Sequence, residues 1–301
     1  THFLSTVMWD GRENSHAPNN TVALIEANLS TQSNDATRGH AQAAADLPTA
    51  TRSAIVNFET NTFNAQVKIG NLQLKSAGAT GGGEALLQMK DQFFIGINDV
   101  LGCAVPNSCQ PGKSATFTNI IFDTYKAWET AAPTAQSAAI GRGEVIFNTK
   151  SFPIDNVGGI NRDPGDPVGA GVVFNGFCGT CHDSPNIGNH STALPIDIGI
   201  AAAAPGGGLN VALLPKYTFT ETATGRQVTV TDPGRALISG KFKDIGKTKG
   251  PNLRALATRA PYFHNGAAPD LATVVNFYDA RFHIGFTAGE KADLIAFLQA
   301  L

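Results

Sequence analysis

No stretch of this 301-residue chain approaches 18 uninterrupted apolar residues, which excludes a membrane-spanning helix. Nor does one sign of charge dominate. The 22 Lys and Arg against 24 Asp and Glu leave a formal net charge of −2, so there is no basic field for a phosphate backbone and nucleic acid is not an expected partner. Charged residues are scarce, at 15%, whereas 32 Gly, 16 Pro and abundant Asn, Thr and Ala point to a loop-rich chain of exported type. The opening Thr1-His2-Phe3-Leu4-Ser5 lacks the basic and apolar pattern of a signal peptide, so the numbering is read as starting inside a longer gene product. Hydrophobic residues make up 42%, enough for the core of one large domain or two ordinary ones.

The four cysteines form two pairs of different character. Cys178-Gly179-Thr180-Cys181-His182 is a C-x-x-C-H string, the attachment pattern of c-type haem: both thiols add to porphyrin vinyl groups and the adjacent histidine is placed under the iron. A thioredoxin-like pair needs a βαβ context that the flanks do not offer, and a structural zinc site needs a fourth ligand at finger-like spacing. Covalent haem of this kind implies export to a periplasmic or secreted location. In such an oxidising compartment Cys103 and Cys109, in a turn-rich Pro-containing loop, are expected to form a small-loop disulfide of structural role only.

A c-type haem requires a decision about the sixth iron ligand, because that choice separates electron carriers from reactive sites. Methionine is the usual carrier ligand, yet only Met8 and Met89 exist and both lie far upstream of Cys178. The remaining candidates are Tyr278, His190, His264, His283 or an open position. Tyr278 reads equally well as a phenolate ligand and as a core tyrosine, while His264 and His283 fit propionate, backbone or surface contacts better than ligation.

The fold class is expected to be mainly α, with c-type cytochrome-like haem domains, long loops and one small β-hairpin. A linker signal at Ala131-Ala132-Pro133-Thr134 divides the chain into an N-terminal domain, 1–132, and a C-terminal haem domain, 133–301. Tyr217–Glu221 and Gln227–Thr231 alternate around Ala223-Thr224-Gly225-Arg226, predicting the hairpin. Asp270 can cap a helix with Leu271, Val274, Val275 and Tyr278 on one face. Thr287 and Glu290 predict a capping box for a last helix facing inward through Leu294, Leu298 and Leu301.

Several strings in 133–301 resemble the bacterial dihaem cytochrome c peroxidases and their MauG-type relatives, which mature methylamine dehydrogenase. They are Gly141-Arg142-Gly143-Glu144, the haem string, Gly250-Pro251-Asn252-Leu253-Arg254, Ala260-Pro261-Tyr262-Phe263-His264-Asn265-Gly266 and Val274-Val275-Asn276-Phe277-Tyr278. The resemblance implies that Tyr278 occupies the distal-ligand position, which is Met in the peroxidases and Tyr in the MauG-type enzyme. It also implies that Arg254 and His264 help bind the haem. Met8-Trp9-Asp10-Gly11-Arg12 resembles the family's W-D-G-R string, whose tryptophan carries electrons or holes between two haems, so Trp9 would inherit that role. The family's Gln and, ten residues later, acid/base Glu are matched by Gln32 and Gln42. An amide cannot accept and return a proton as a carboxylate does, and His40, two residues away, is the expected substitute.

The family's first haem string lies upstream of W-D-G-R, and only eight residues precede Trp9 here, so a second haem is expected if the native chain extends upstream. A calcium ion near the backbone of Thr248 and Pro251 is a further implication of the resemblance. The implied activity is that of a haem oxidoreductase passing electrons through the haem on Cys178, Cys181 and His182, past Trp9, to a peroxide-reducing centre near His40 and Gln42. A small redox protein would be the donor, hydrogen peroxide a candidate substrate, and a homodimer is compatible with the family. Two other readings stay open: an electron-transfer cytochrome without peroxidase chemistry, and a MauG-type high-valent haem oxidase.

Overall fold

A computed structural model describes residues 7–13, 22–62, 65–82, 117–182 and 195–301. Two capped helices organise its core. In α4 (Ala135–Thr149) the Thr134 hydroxyl accepts from the Ser137 amide at 3.1 Å, while Ser137 Oγ accepts from the Thr134 amide at 2.9 Å. In α7 (Ala288–Ala300) the predicted box is in place, with Glu290 N donating to Thr287 Oγ1 at 3.2 Å and Thr287 N donating to Glu290 Oε2 at 2.8 Å. The two helices pack at close range because Gly143 has no side chain: a Cβ there would sit 2.1 Å from the Asp293 carbonyl oxygen and 2.6 Å from Phe297 Cβ. Arg142 grips both carboxylate oxygens of Asp293 at 2.7 Å beside this crossing. That exposed pair contributes at most about 1 kcal/mol, so the buried Phe147, Leu294, Phe297 and Leu298 dominate the contact.

The inward polar side chains of α4 hold the chain that precedes it. Glu144, fully buried, accepts from the Tyr125 amide with both carboxylate oxygens at 3.1 and 2.9 Å. Asn148 accepts from the amides of Ile121 and Phe122 and donates to the Phe122 carbonyl at 2.7 Å. The loop so fixed places Tyr125 and Trp128, stacked at 5.0 Å, in the core, and Trp128 opens the short α3 (Trp128–Ala131). The Tyr125 hydroxyl donates to the Ala300 carbonyl at 2.6 Å and Trp128 Nε1 to the Ser76 carbonyl at 3.1 Å. The main core therefore gathers Leu74, Ile121, Tyr125 and Trp128 together with residues beyond 133.

Upstream, α1 (Val22–Gly39) and α2 (Thr49–Asn61) share a small apolar cluster of Ile25, Leu29 and Val56, with Val7 packed on it. The sheets among the described residues are two-stranded and antiparallel, so the fold is mainly α. They comprise β1 (Lys68–Ile69) with β2 (Leu72–Gln73), β3 (Phe152–Ile154) with β4 (Phe174–Gly176), and the expected hairpin of β5 (Tyr217–Thr220) with β6 (Gln227–Val230). After the four-residue α5 (Ala236–Ser239) comes α6 (Leu271–Phe282), capped as predicted by Asp270, whose carboxylate accepts from Thr273 N at 2.7 Å.

Candidate haem site

The C-x-x-C-H string leaves β4 as a tight 3-10 turn over Cys178–Thr180. Thr180 Oγ1 accepts from the Phe177 amide at 2.9 Å, and the amides of Cys181 and His182 both fold back onto the Cys178 carbonyl, at 3.3 and 3.0 Å. This turn aims Cys178, Cys181 and His182 into one cavity. No disulfide joins the two cysteines. Burial pushes the Cys178 thiol up to about 12, so at neutral pH it is a protonated thiol and not the thiolate that disulfide exchange requires.

The cavity encloses about 1660 Å³, its open mouth included, and its wall is overwhelmingly apolar. From α6, Val274, Val275 and Tyr278 line it, which is the helix face expected from their spacing. Tyr278 is packed among Phe263, Phe277 and Phe282, with ring centroids 5.8 to 6.3 Å away. Its hydroxyl lies near enough to both thiols to feel their charge, and burial first, then those neighbours, push its pKa well above the usual tyrosine value. Among the described residues this hydroxyl has no hydrogen-bond partner. A phenol on an apolar cavity without an acceptor among the described residues, with two thiols and an imidazole on the same cavity, fits a c-type haem: the cysteines would take the vinyl carbons, and the imidazole and phenol would hold the iron.

Trp9 reaches the same cavity from far away in sequence. Residues 7–13 form a turn in which Asp10 accepts from both the Arg12 amide (3.0 Å) and Arg12 Nε (2.8 Å). The turn is clamped through its carbonyl oxygens: Lys249 N donates to Trp9 O at 3.0 Å, Lys249 Nζ to Val7 O at 2.9 Å and Arg235 Nη1 to Asp10 O at 3.2 Å. Gly11, at φ +89°, is needed on both counts, since a Cβ would lie 2.0 Å from Arg235 Nη1. The indole then rests beside His264, at 5.7 Å between ring centroids. His264 Nδ1 is hydrogen-bonded to Asp232 Oδ2, which raises the imidazole pKa against the opposing effect of burial. Burial alone would raise Asp232; the bonds from His264 and the Gly234 amide bring it below the ordinary carboxylate value instead.

The other expected site residues are spread more widely. Arg254 is buried but does not line the cavity, whereas Arg259 does, as does Lys249. Neither Arg259, Lys249 nor Asp232 is marked by spacing in the sequence. His40 and Gln42 are exposed just beyond the end of α1, away from the wall that holds Trp9 and the cysteines. Gln32, half-buried, sits within α1. His283 is the exposed residue that ends α6, in left-handed conformation. Thr248 and Pro251 both line the cavity, and the Thr248 carbonyl already accepts from the Ile196 amide at 2.9 Å. Cys103, Cys109, Met89 and His190 lie outside the described residues.

No family model matches the chain. It is 32% identical over 152 residues to the cytochrome-c peroxidase IdrP1 of Pseudomonas sp. (strain SCT), covering 43% of this chain and 38% of that protein. It is 33% identical over 137 residues to the cytochrome-c peroxidase IdrP2 of Denitromonas iodatirespirans, covering 42% and 36% respectively. The chain thus spans little more than a third of the length of these relatives. Among solved structures, a MauG-like protein associated with microbial copper homeostasis aligns with 99% of this chain and 72% of its own, at 17% identity and a TM-score of 0.40, too distant to guide the reading of the site. The sequence similarities relate the chain to the cytochrome-c peroxidases that its motifs resemble.

Proposed function

We propose that this chain is the electron-entry part of an exported, periplasmic c-type haem oxidoreductase of the cytochrome-c peroxidase kind. The observation that carries the reading is the convergence of Cys178, Cys181, His182 and Tyr278 on one apolar cavity whose wall also includes Trp9. When bound there, a haem would supply one-electron redox chemistry. The residues divide the remaining work. Cys178 and Cys181 would anchor the haem, and His182 and Tyr278 would hold its iron through an imidazole nitrogen and a phenol oxygen. Phe263, Phe277 and Phe282 exclude water around that oxygen. Trp9 gives a polarisable ring at the cavity wall and would carry electrons between this haem and a second one, with His40 and Gln42 as the polar groups that would attend hydrogen peroxide. The assignment of His40 as proton donor and acceptor there is supported by motif spacing alone. A small redox protein is the donor.

Tyr278 also favours a MauG-type oxidase over a methionine-ligated carrier, since among the described residues no methionine lines the cavity. A pyridine-haemochrome count and the intact denatured mass of the native protein test the central claim, together with peroxide consumption from a reduced cytochrome donor. Covalent haem is expected, lost from denatured protein in which both Cys178 and Cys181 are replaced by alanine; retention in that double variant would sink the reading. Covalent haem with no peroxide turnover would move the function to electron transfer only.

A further inference from the structure

The cavity has a charge imbalance that its iron ligands do not explain. Two carboxylates line it, and both are already neutralised: Asp197 by Arg162, with the Gly199 amide donating at 2.7 Å, and Asp232 by His264. Two long cations also line it, Lys249 and Arg259. The Lys249 ammonium donates to the Val7 carbonyl, and burial pushes it down to about 8 although Asp10 opposes the shift. Arg259 makes no ion pair among the described residues. Its Nη1 donates to the Asn252 carbonyl at 2.7 Å, which among the described residues leaves its other N–H groups without an acceptor on an apolar wall. Burial holds this guanidinium below its usual range, only partly offset by Tyr262, whose own hydroxyl is committed to the Leu256 carbonyl at 2.6 Å. A half-buried guanidinium facing apolar surface is unfavourable unless an anion of matching planar geometry reaches it.

We infer that Arg259 is the anion-binding side chain of this cavity and takes a propionate carboxylate of the haem. The inference rests on the haem reading above. It assigns to Arg259 the contact that the motif resemblance gave to Arg254, which is not among the residues lining the cavity. Pairing a propionate with a fixed positive charge keeps it ionised. Removing that charge leaves a bare carboxylate beside the iron, which favours the ferric form.

The test is potentiometry of the purified holoprotein from pH 5 to 9 for wild type, Arg259→Gln and Arg259→Lys, each first checked for covalent haem. Arg259→Gln is expected to keep its haem, to favour the ferric form about tenfold, equivalent to ~59 mV for one electron, and to acquire a pH-dependent potential as the released carboxylate titrates. Arg259→Lys should recover most of that shift. An unchanged potential in Arg259→Gln overturns the inference, as does an equal shift in Arg259→Lys, which would mark a packing role through Asn252. Should Arg259→Gln fail to fold, infrared difference spectra of wild type with ¹³C-labelled propionates decide: both carboxylates titrating near neutral pH would overturn it, and one ionised throughout supports it. Absence of covalent haem in the wild type would instead overturn the haem reading itself, and the inference with it.

Discussion

Trp9 and His264 lie ring against ring, 5.7 Å apart and 36° from parallel, although 255 positions separate them. The imidazole is fixed from its other side by Asp232. This pair makes stability depend on pH at both ends. His264, raised above the ordinary 6.5, contributes fully below that value and loses its contribution as pH climbs through its raised pKa. Asp232, lowered from 3.8, contributes fully above that value and loses it as pH falls through its depressed pKa. In Asp232→Asn the His264 titration, followed by NMR, should fall relative to wild type, and urea midpoints should vary less with pH. A His264 titration that does not move would show that Asp232 has no hold on it.

Tyr278→Phe should separate ligation from packing. The hydroxyl makes no hydrogen bond among the described residues, so its loss is expected to change the unfolding free energy by no more than about 0.5 kcal/mol. The visible spectrum of the holoprotein should nevertheless change, because the phenol oxygen proposed to hold the iron has gone. An unaltered spectrum would return Tyr278 to the core.

Gly143→Ala forces a methyl group against the Asp293 carbonyl and Phe297, and α4 and α7 have to part. A loss of about 1–3 kcal/mol is expected from overpacking. Chemical denaturation measures it directly, and a neutral result would mean that the two helices slide freely.

Glu144 gives a second pH dependence. Burial first, then the negative charges of Glu129 and Asp123, raise its pKa to about 7 despite the amides that donate to it. The sign follows from a folded value above the unfolded one: the fold is favoured by the neutral acid at low pH and loses roughly 3 kcal/mol as pH rises through 7. Glu144→Gln should flatten the decline in stability between pH 5 and 8, seen in denaturation midpoints. An identical slope in both proteins would place the titration elsewhere.

The features legible in the sequence are those written in neighbouring residues. Caps at Asp270 and Thr287, the hairpin around Gly225 and the C-x-x-C-H turn each depend on fewer than about fifteen consecutive positions, and each is where its local pattern puts it. Phe297, wholly buried, shares the helix face of Leu294 and Leu298, which by themselves already satisfy the helical period. The pairings that build the site are of another kind. Asp232 with His264, Arg235 with the Trp9 turn and Glu144 with the Tyr125 amide join residues whose separation carries no period, so nothing local announces them. Choosing between Arg254 and Arg259 needed the same tertiary knowledge, since which of two arginines five residues apart enters a cavity depends on the turn between them.

Among the described residues, the hydrogen bonds that Lys249 and Arg235 make to the 7–13 turn all go to main-chain oxygens and none to the indole, which meets the His264 ring. The turn is thereby a socket whose seating is independent of what is plugged into it. Position 9 can exchange its aromatic ring for tyrosine, phenylalanine or a synthetic redox-active residue while the backbone beneath stays docked, so the electron-carrying role proposed for it is adjustable without rebuilding its frame.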